Sequence, residues 1–190
     1  MFNLPVKPDT PVVAIISRLV AHKGLDLIQT VIEEVLRQDV QVIILGKGDS
    51  AYENYFTDLS RRYVGKLVTV IAFNPDLSRK IYSGADLFLM PSKSEPCGLS
   101  QMIACRYGTI PIVRETGGLY DSIKPAANGG LGFTFANYNA YDMLYVIREA
   151  IGCYQNKSFW QELIERAMRA DFSWKRSAEE YEKIYGEMLK

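Results

Sequence analysis

Histidine is nearly missing from this chain of 190 residues: His22 is the only one. A Ser-His-Asp triad or a histidine-built metal site needs partners that a single imidazole does not have, so no metal is expected. His22 itself reads as a loop residue. Cysteine is scarce, and Cys97, Cys105 and Cys153 are odd in number, irregular in spacing and without a CxxC pair. That pattern gives neither a disulfide framework nor a zinc site, and it suits a reducing, cytoplasmic compartment. Net charge is missing too, with 22 basic residues against 22 acidic ones. Nothing in that balance draws the chain to nucleic acid or to an anionic membrane, so an anionic ligand has to be held by a few placed groups. No apolar run approaches the roughly 20 residues that span a bilayer. The opening Phe2-Asn3-Leu4-Pro5 lacks the basic segment and apolar stretch of a secretory signal. No GxGxxG follows the first candidate strand and no GxxxxGK[ST] occurs anywhere, which argues against a nicotinamide enzyme and a P-loop ATPase.

What is present is alternation. Apolar runs rich in β-branched residues cover 12–16, 40–45, 67–72, 86–90, 110–113 and 132–135. Between them lie segments with apolar residues at helical spacing, such as Leu25, Ile28, Ile32, Val35 and Leu36, and further helices over 51–63, 75–82 and 98–107. A short helix is expected near Gly118, and Asn74 followed by Pro75 reads as a helix start. Strands that are apolar throughout and separated by helices predict an α/β fold, a doubly wound parallel sheet covered on both faces. From Asn139 onward the pattern is helical only, with amphipathic segments over 140–154, 158–170 and 175–189 and Ser173 as a cap for the last. The expected organisation is a Rossmann-like core over 1–138, with 139–190 as a C-terminal helical tail packed on the same domain. Residues 124–132, rich in glycine, read as a surface loop.

Ligands of such sheets bind beyond the carboxyl ends of the strands, so the strand-to-helix junctions are where chemistry belongs. The first holds Arg18 and Lys23 ahead of a helix N-terminus, a place that disfavours cations. An anion held between them explains the pair, and two solvated surface charges explain it equally well. Charge-assisted hydrogen bonds contribute about 1.5–3 kcal/mol each, enough for two of them to supply much of a diphosphate's affinity. The second junction, Gly46-Lys47-Gly48-Asp49, permits close backbone approach but also merely turns the chain. The third, Pro91 through Gln101, sets the Glu95 carboxylate beside the amides of Gly98, Leu99 and Ser100, an acceptor for hydroxyls next to donors for a phosphate. The fourth, Thr116-Gly117-Gly118-Leu119, fits a phosphate cradle and a tight turn about equally.

Taken together these stretches resemble the C-terminal, nucleotide-sugar-binding domain of the bacterial glycogen synthase and plant starch synthase family. The resemblance covers nearly the whole chain. It is carried by Ser17-Arg18-Leu19 leading to Lys23-Gly24-Leu25-Asp26-Leu27-Ile28, by Pro91-Ser92 leading to Glu95-Pro96-Cys97-Gly98-Leu99-Ser100-Gln101, and by Tyr107-Gly108-Thr109-Ile110-Pro111-Ile112-Val113-Arg114 leading to Thr116-Gly117-Gly118-Leu119-Tyr120-Asp121. It implies half of a GT-B retaining glucosyltransferase that moves glucose from ADP-glucose to the non-reducing end of an α-1,4-glucan, without a cofactor. Arg18 and Lys23 then match the basic pair that neutralises the donor diphosphate, and Glu95 the carboxylate that holds a glucose hydroxyl. Cys97, Gly98, Leu99 and Ser100 match the sugar pocket, and Thr116, Gly117 and Gly118 the phosphate-side loop. Phe73 matches an aromatic that stacks on the nucleobase, and Gly46, Gly48 and Asp49 a loop near the nucleotide. Ser94 and Lys47 depart from the family's usual aromatic and small residue. The resemblance also implies an N-terminal domain, absent from these residues, that binds the α-glucan acceptor, and with it an isolated chain that is inactive. Other readings are a non-catalytic nucleotide-sugar-binding module or another GT-B glycosyltransferase.

Overall fold

The computed structural model of the chain describes residues 2–189. Six strands, β1 (Val12–Ile16), β2 (Gln41–Gly46), β3 (Leu67–Ile71), β4 (Leu87–Met90), β5 (Ile110–Arg114) and β6 (Phe133–Phe135), form one sheet in the order β3-β2-β1-β4-β5-β6. Every pairing is parallel. Parallel neighbours need crossovers, and the helices supply them: α1 (Leu25–Leu36), α2 (Ser50–Arg62), α3 (Pro75–Gly84), α4 (Ser100–Tyr107) and α5 (Gly117–Ser122). Beyond β6 come α6 (Ala140–Tyr154), α7 (Lys157–Arg169) and α8 (Trp174–Met188). This is the doubly wound α/β sheet that the alternation predicts.

The apolar runs dictate the layering. Successive strand residues face opposite sides of a sheet, and every residue of β2 and of β4 is buried, so both faces are covered. Val42, Ile43, Ile44 and Leu45 leave no polar side that water could wet. One face of α1 buries Leu25, Ile28, Val31, Ile32 and Val35 and packs on α6, while α4 packs on α7. Asparagines start three of the helices. The Asn74 side chain accepts from Leu77 N at 2.9 Å, and Asn139 and Asn156 do the same work for α6 and α7.

Two elements differ from the sequence expectation. The helix expected from residue 98 begins at Ser100, because Gly98 has φ of +73° and cannot be helical. The tail is not packed throughout: α8 buries none of its described residues, and Trp174, Tyr181, Ile184, Tyr185 and Met188 stay exposed. A groove of about 950 Å³ separates α8 from the loops around Pro96, Gly118 and Lys124. Ser173 stands at its N-cap position, but the side chain makes no capping hydrogen bond.

The strand order reverses between β1 and β4, since the chain leaves β1 outward through β2 and β3 and returns to pair β4 on the other side. At such a reversal the two adjoining loops diverge to opposite faces and leave a crevice at the carboxyl ends of the strands.

Candidate functional site

The crevice is where the sequence-predicted ionic residues meet. Lys23, on the loop after β1, places Nζ 2.5 Å from Oε2 of Glu95, on the loop after β4, and the two side chains are only 16% and 12% exposed. Ser92 Oγ donates to the same carboxylate oxygen at 3.2 Å. Lys93 N donates to His22 O at 2.9 Å and joins the two loops a second time. Arg18 lines the same cleft, about 170 Å³ in volume, together with Ser17, Lys23, Ser92 and Ser100.

The charges are not arranged as two bare cations around an empty anion seat. The anion beside Lys23 is Glu95. Arg18 is the guanidinium left over: its only side-chain neighbour within hydrogen-bond range among the described residues is His22 Nε2 at 3.4 Å, and it makes no ion pair. An ammonium already matched by a carboxylate adds little net charge to the cleft, so Arg18 is the group most available to an arriving anion. Beside it begins α4, and the amides of Gly98, Leu99 and Ser100 meet no protein acceptor among the described residues. Unspent N–H groups at a helix N-terminus are a ready anion site.

The glycine loops serve the crevice indirectly. Gly118 N donates to Glu95 O and Pro96 O at 3.0 and 3.1 Å, so this amide is not offered to a phosphate as a cradle would require. A Cβ at position 118 would lie 2.0 Å from Cys97 O, and this close approach of two loops is what the glycine permits. The loop after β2 behaves likewise. Leu19 N donates to Lys47 O at 3.0 Å and Asp49 N to Leu19 O at 2.8 Å, while a Cβ on Gly48 would fall 2.3 Å from Leu19 O. Gly46 and Gly48 thus let the β2 loop brace the β1 loop, and the side chain of Asp49 makes no cap bond to α2. Thr116 begins α5 in extended conformation, also without a side-chain cap bond.

The remaining candidates lie on the rim. Phe73 is 90% exposed and Leu99 66% exposed, and Cys97 is an exposed free thiol. Phe73 follows β3, two strands and roughly 10 Å along the sheet from β1. Sequence reasoning missed Arg114 except as part of a motif. Its Nε donates to Ser92 O at 2.9 Å and its Nη2 to Lys93 O at 2.5 Å, which fixes the start of the Glu95 loop. A cation ending an otherwise buried apolar strand was the available signal. Tyr138 completes this support: its hydroxyl donates to Asp26 Oδ1 at 2.5 Å, and Lys93 and Arg114 both lie over its ring. Burial first, and then Asp26, raises the Tyr138 phenol well above its ordinary range, so it remains a donor.

A parallel doubly wound sheet with an anion-suited crevice at its reversal point defines a nucleotide-type binding domain. The chain belongs to the family of glycosyl transferases group 1, whose model matches residues 1–166. It is 50% identical over 192 aligned residues to the glycogen synthase of Geobacillus thermodenitrificans, covering 100% of this chain and 40% of that protein. The glycogen synthase of Geobacillus stearothermophilus gives the same identity and coverage. Among solved structures, the catalytic domain of starch synthase IV from Arabidopsis thaliana bound to ADP and acarbose is 34% identical with a TM-score of 0.89, covering 98% of this chain and 40% of that one. Sucrose-phosphate synthase from Thermosynechococcus elongatus, at 21% identity and a TM-score of 0.71, shares the fold over 97% of this chain and 47% of its own. The chain therefore spans about 40% of the length of its glycogen synthase relatives.

Proposed function

We propose that this chain is the donor-binding half of a retaining glucosyltransferase of the glycogen and starch synthase type, and that it holds ADP-glucose in the crevice between β1 and β4. The observation that carries the reading is the meeting of Arg18, the Lys23–Glu95 pair and the unspent amides of Gly98, Leu99 and Ser100 at the one reversal point of the sheet. The starch synthase neighbour, which is bound to ADP, supports an adenine nucleotide as the ligand.

In this reading Arg18 contacts the diphosphate directly. Lys23 shares its charge between Glu95 and the phosphates, and Glu95 accepts from a glucose hydroxyl. Phe73, some 10 Å away along the rim, offers an exposed ring for the nucleobase, with Gly46, Gly48 and Asp49 alongside. Cys97, Leu99 and Ser100 line the sugar side, and Thr116 and Gly117 the phosphate side. Positive charge placed where the departing diphosphate gains negative charge lowers the barrier without a metal or other cofactor. In this reading the α-1,4-glucan acceptor is met by parts of the enzyme outside the 40% of the glycogen synthase relatives that this chain covers. Three free thiols suit a protein of the cytoplasm.

Calorimetric titration of the chain with ADP, ADP-glucose and UDP-glucose tests this. ADP and ADP-glucose are expected to bind more tightly than the uridine nucleotide, and Arg18→Ala to weaken both about tenfold or more, since a charge-assisted hydrogen bond of about 1.5–3 kcal/mol is lost. Unchanged affinity in Arg18→Ala removes Arg18 from the diphosphate seat.

A further inference from the structure

Gln101 stands in the first turn of α4 and is wholly enclosed, yet it is polar. Its Nε2 donates to Gly98 O at 2.8 Å, to Cys97 O at 3.2 Å and to Ser122 Oγ at 3.0 Å, so two hydrogens serve three acceptors, two on the Glu95 loop and one on α5. Ser122 Oγ in turn donates to Gly118 O at 2.6 Å, and the Gly118 amide returns to the carbonyls of Glu95 and Pro96. The hydrogen bonds close a circuit from the Glu95 loop through Gln101 and α5 back to the Glu95 loop.

The orientation of the amide is dictated by its neighbours. Turning it over would set Oε1 against two carbonyl oxygens, whereas in the observed orientation Oε1 is buried with no partner among the described residues. A buried amide with one atom unsatisfied is held by what its other atom does. Gly98 admits it: a Cβ at that position would lie 2.6 Å from Gln101 Oε1. An apolar side chain would fill the same space without an orphaned oxygen, so packing alone does not account for glutamine here.

We propose that Gln101 is a positioning residue, a buried strap that holds the loop carrying Glu95 and the α4 amides in register with the turn at Gly117 and Gly118. The proposal rests on the donor-binding reading of the crevice for its functional consequence, though the strap is testable without a ligand. The Gln101→Met and Ser122→Ala variants and their combination are compared with the parent chain by hydrogen exchange at the Gly118 amide and by titration with ADP-glucose. Each single substitution is expected to speed Gly118 exchange and to raise the ADP-glucose Kd, both about tenfold. The double variant is expected to be no worse than the weaker single one, because both cut the same circuit. Should Gln101→Met fail to fold, Ser122→Ala opens the circuit at a part-exposed position and reads the same two quantities. Unaltered Gly118 exchange in the single variants, or effects that simply add in the double, overturns the strap. If the parent chain binds no ADP-glucose, the donor reading falls, and the exchange rates alone decide the strap.

Discussion

Lys23 and Glu95 are the least exposed ion pair among the described residues; every other paired side chain is at least 36% exposed. Surface pairs of that kind contribute about 0–1 kcal/mol, whereas breaking a well-buried pair costs about 3–5 kcal/mol. A carboxylate left without its ammonium at this depth is the costly species, so a ligand that draws Lys23 away must give Glu95 a hydroxyl in exchange. At the opposite end of the sheet, Asp86 shows the reverse case, a carboxyl that burial pushes above its ordinary range against the opposing pull of Val12 N, Lys157 and Tyr154. Its Oδ2 accepts from Val12 N at 2.8 Å. With the folded pKa raised, the favourable contribution of this group is present in acid and is lost as pH rises through the folded value, so at neutral pH the charged form costs stability. Asp86→Asn keeps an acceptor for Val12 and removes the charge. It is expected to be more stable than the parent at pH 7, the gap closing as pH falls towards about 4. Urea unfolding across that range checks the sign, and a gap independent of pH rules the carboxyl out as its source.

Among the elements, α8 carries apolar residues that the other described residues leave exposed. Removing residues 174–190 is therefore expected to cost less than about 0.5 kcal/mol, the range of ordinary surface changes, in chemical unfolding of the rest. A loss of several kcal/mol would mean that α8 closes over the groove in solution. Its periodicity was plain in the sequence, but periodicity says only that a face is apolar, not what covers it. The strands were legible to within a residue or two because their runs are mostly apolar and β-branched with few polar residues, and Asn74 announced its cap through Pro75. The start of α4 was less legible, since the φ of +73° at Gly98 goes with a close approach of the Gln101 side chain, a contact no local pattern displays. Arg18, Lys23 and Glu95 were found because charge at a strand end stands out. The taking of Lys23 by Glu95, 72 residues apart, and the engagement of the Gly118 amide depend on tertiary approach and lie beyond such a reading.

At the scale of the whole molecule, the proposed function makes the chain one face of a cleft. Alone it is expected to bind nucleotide yet to extend no α-1,4-glucan, whereas a full-length glycogen synthase relative is expected to do so under the same conditions. Incorporation of labelled glucose into glycogen measures the difference, and extension by the 190 residues alone would mean that the acceptor is also held here. A sheet whose strands all run one way also divides the labour between its two rims. Everything proposed for the ligand lies where strands end, while the turns at Asp39 and at Val64–Gly65 lie where strands begin, a strand length or roughly 15–20 Å away. An engineer seeking a place for a fluorophore or an inserted tag has a natural address there, on the rim opposite the proposed ligand site.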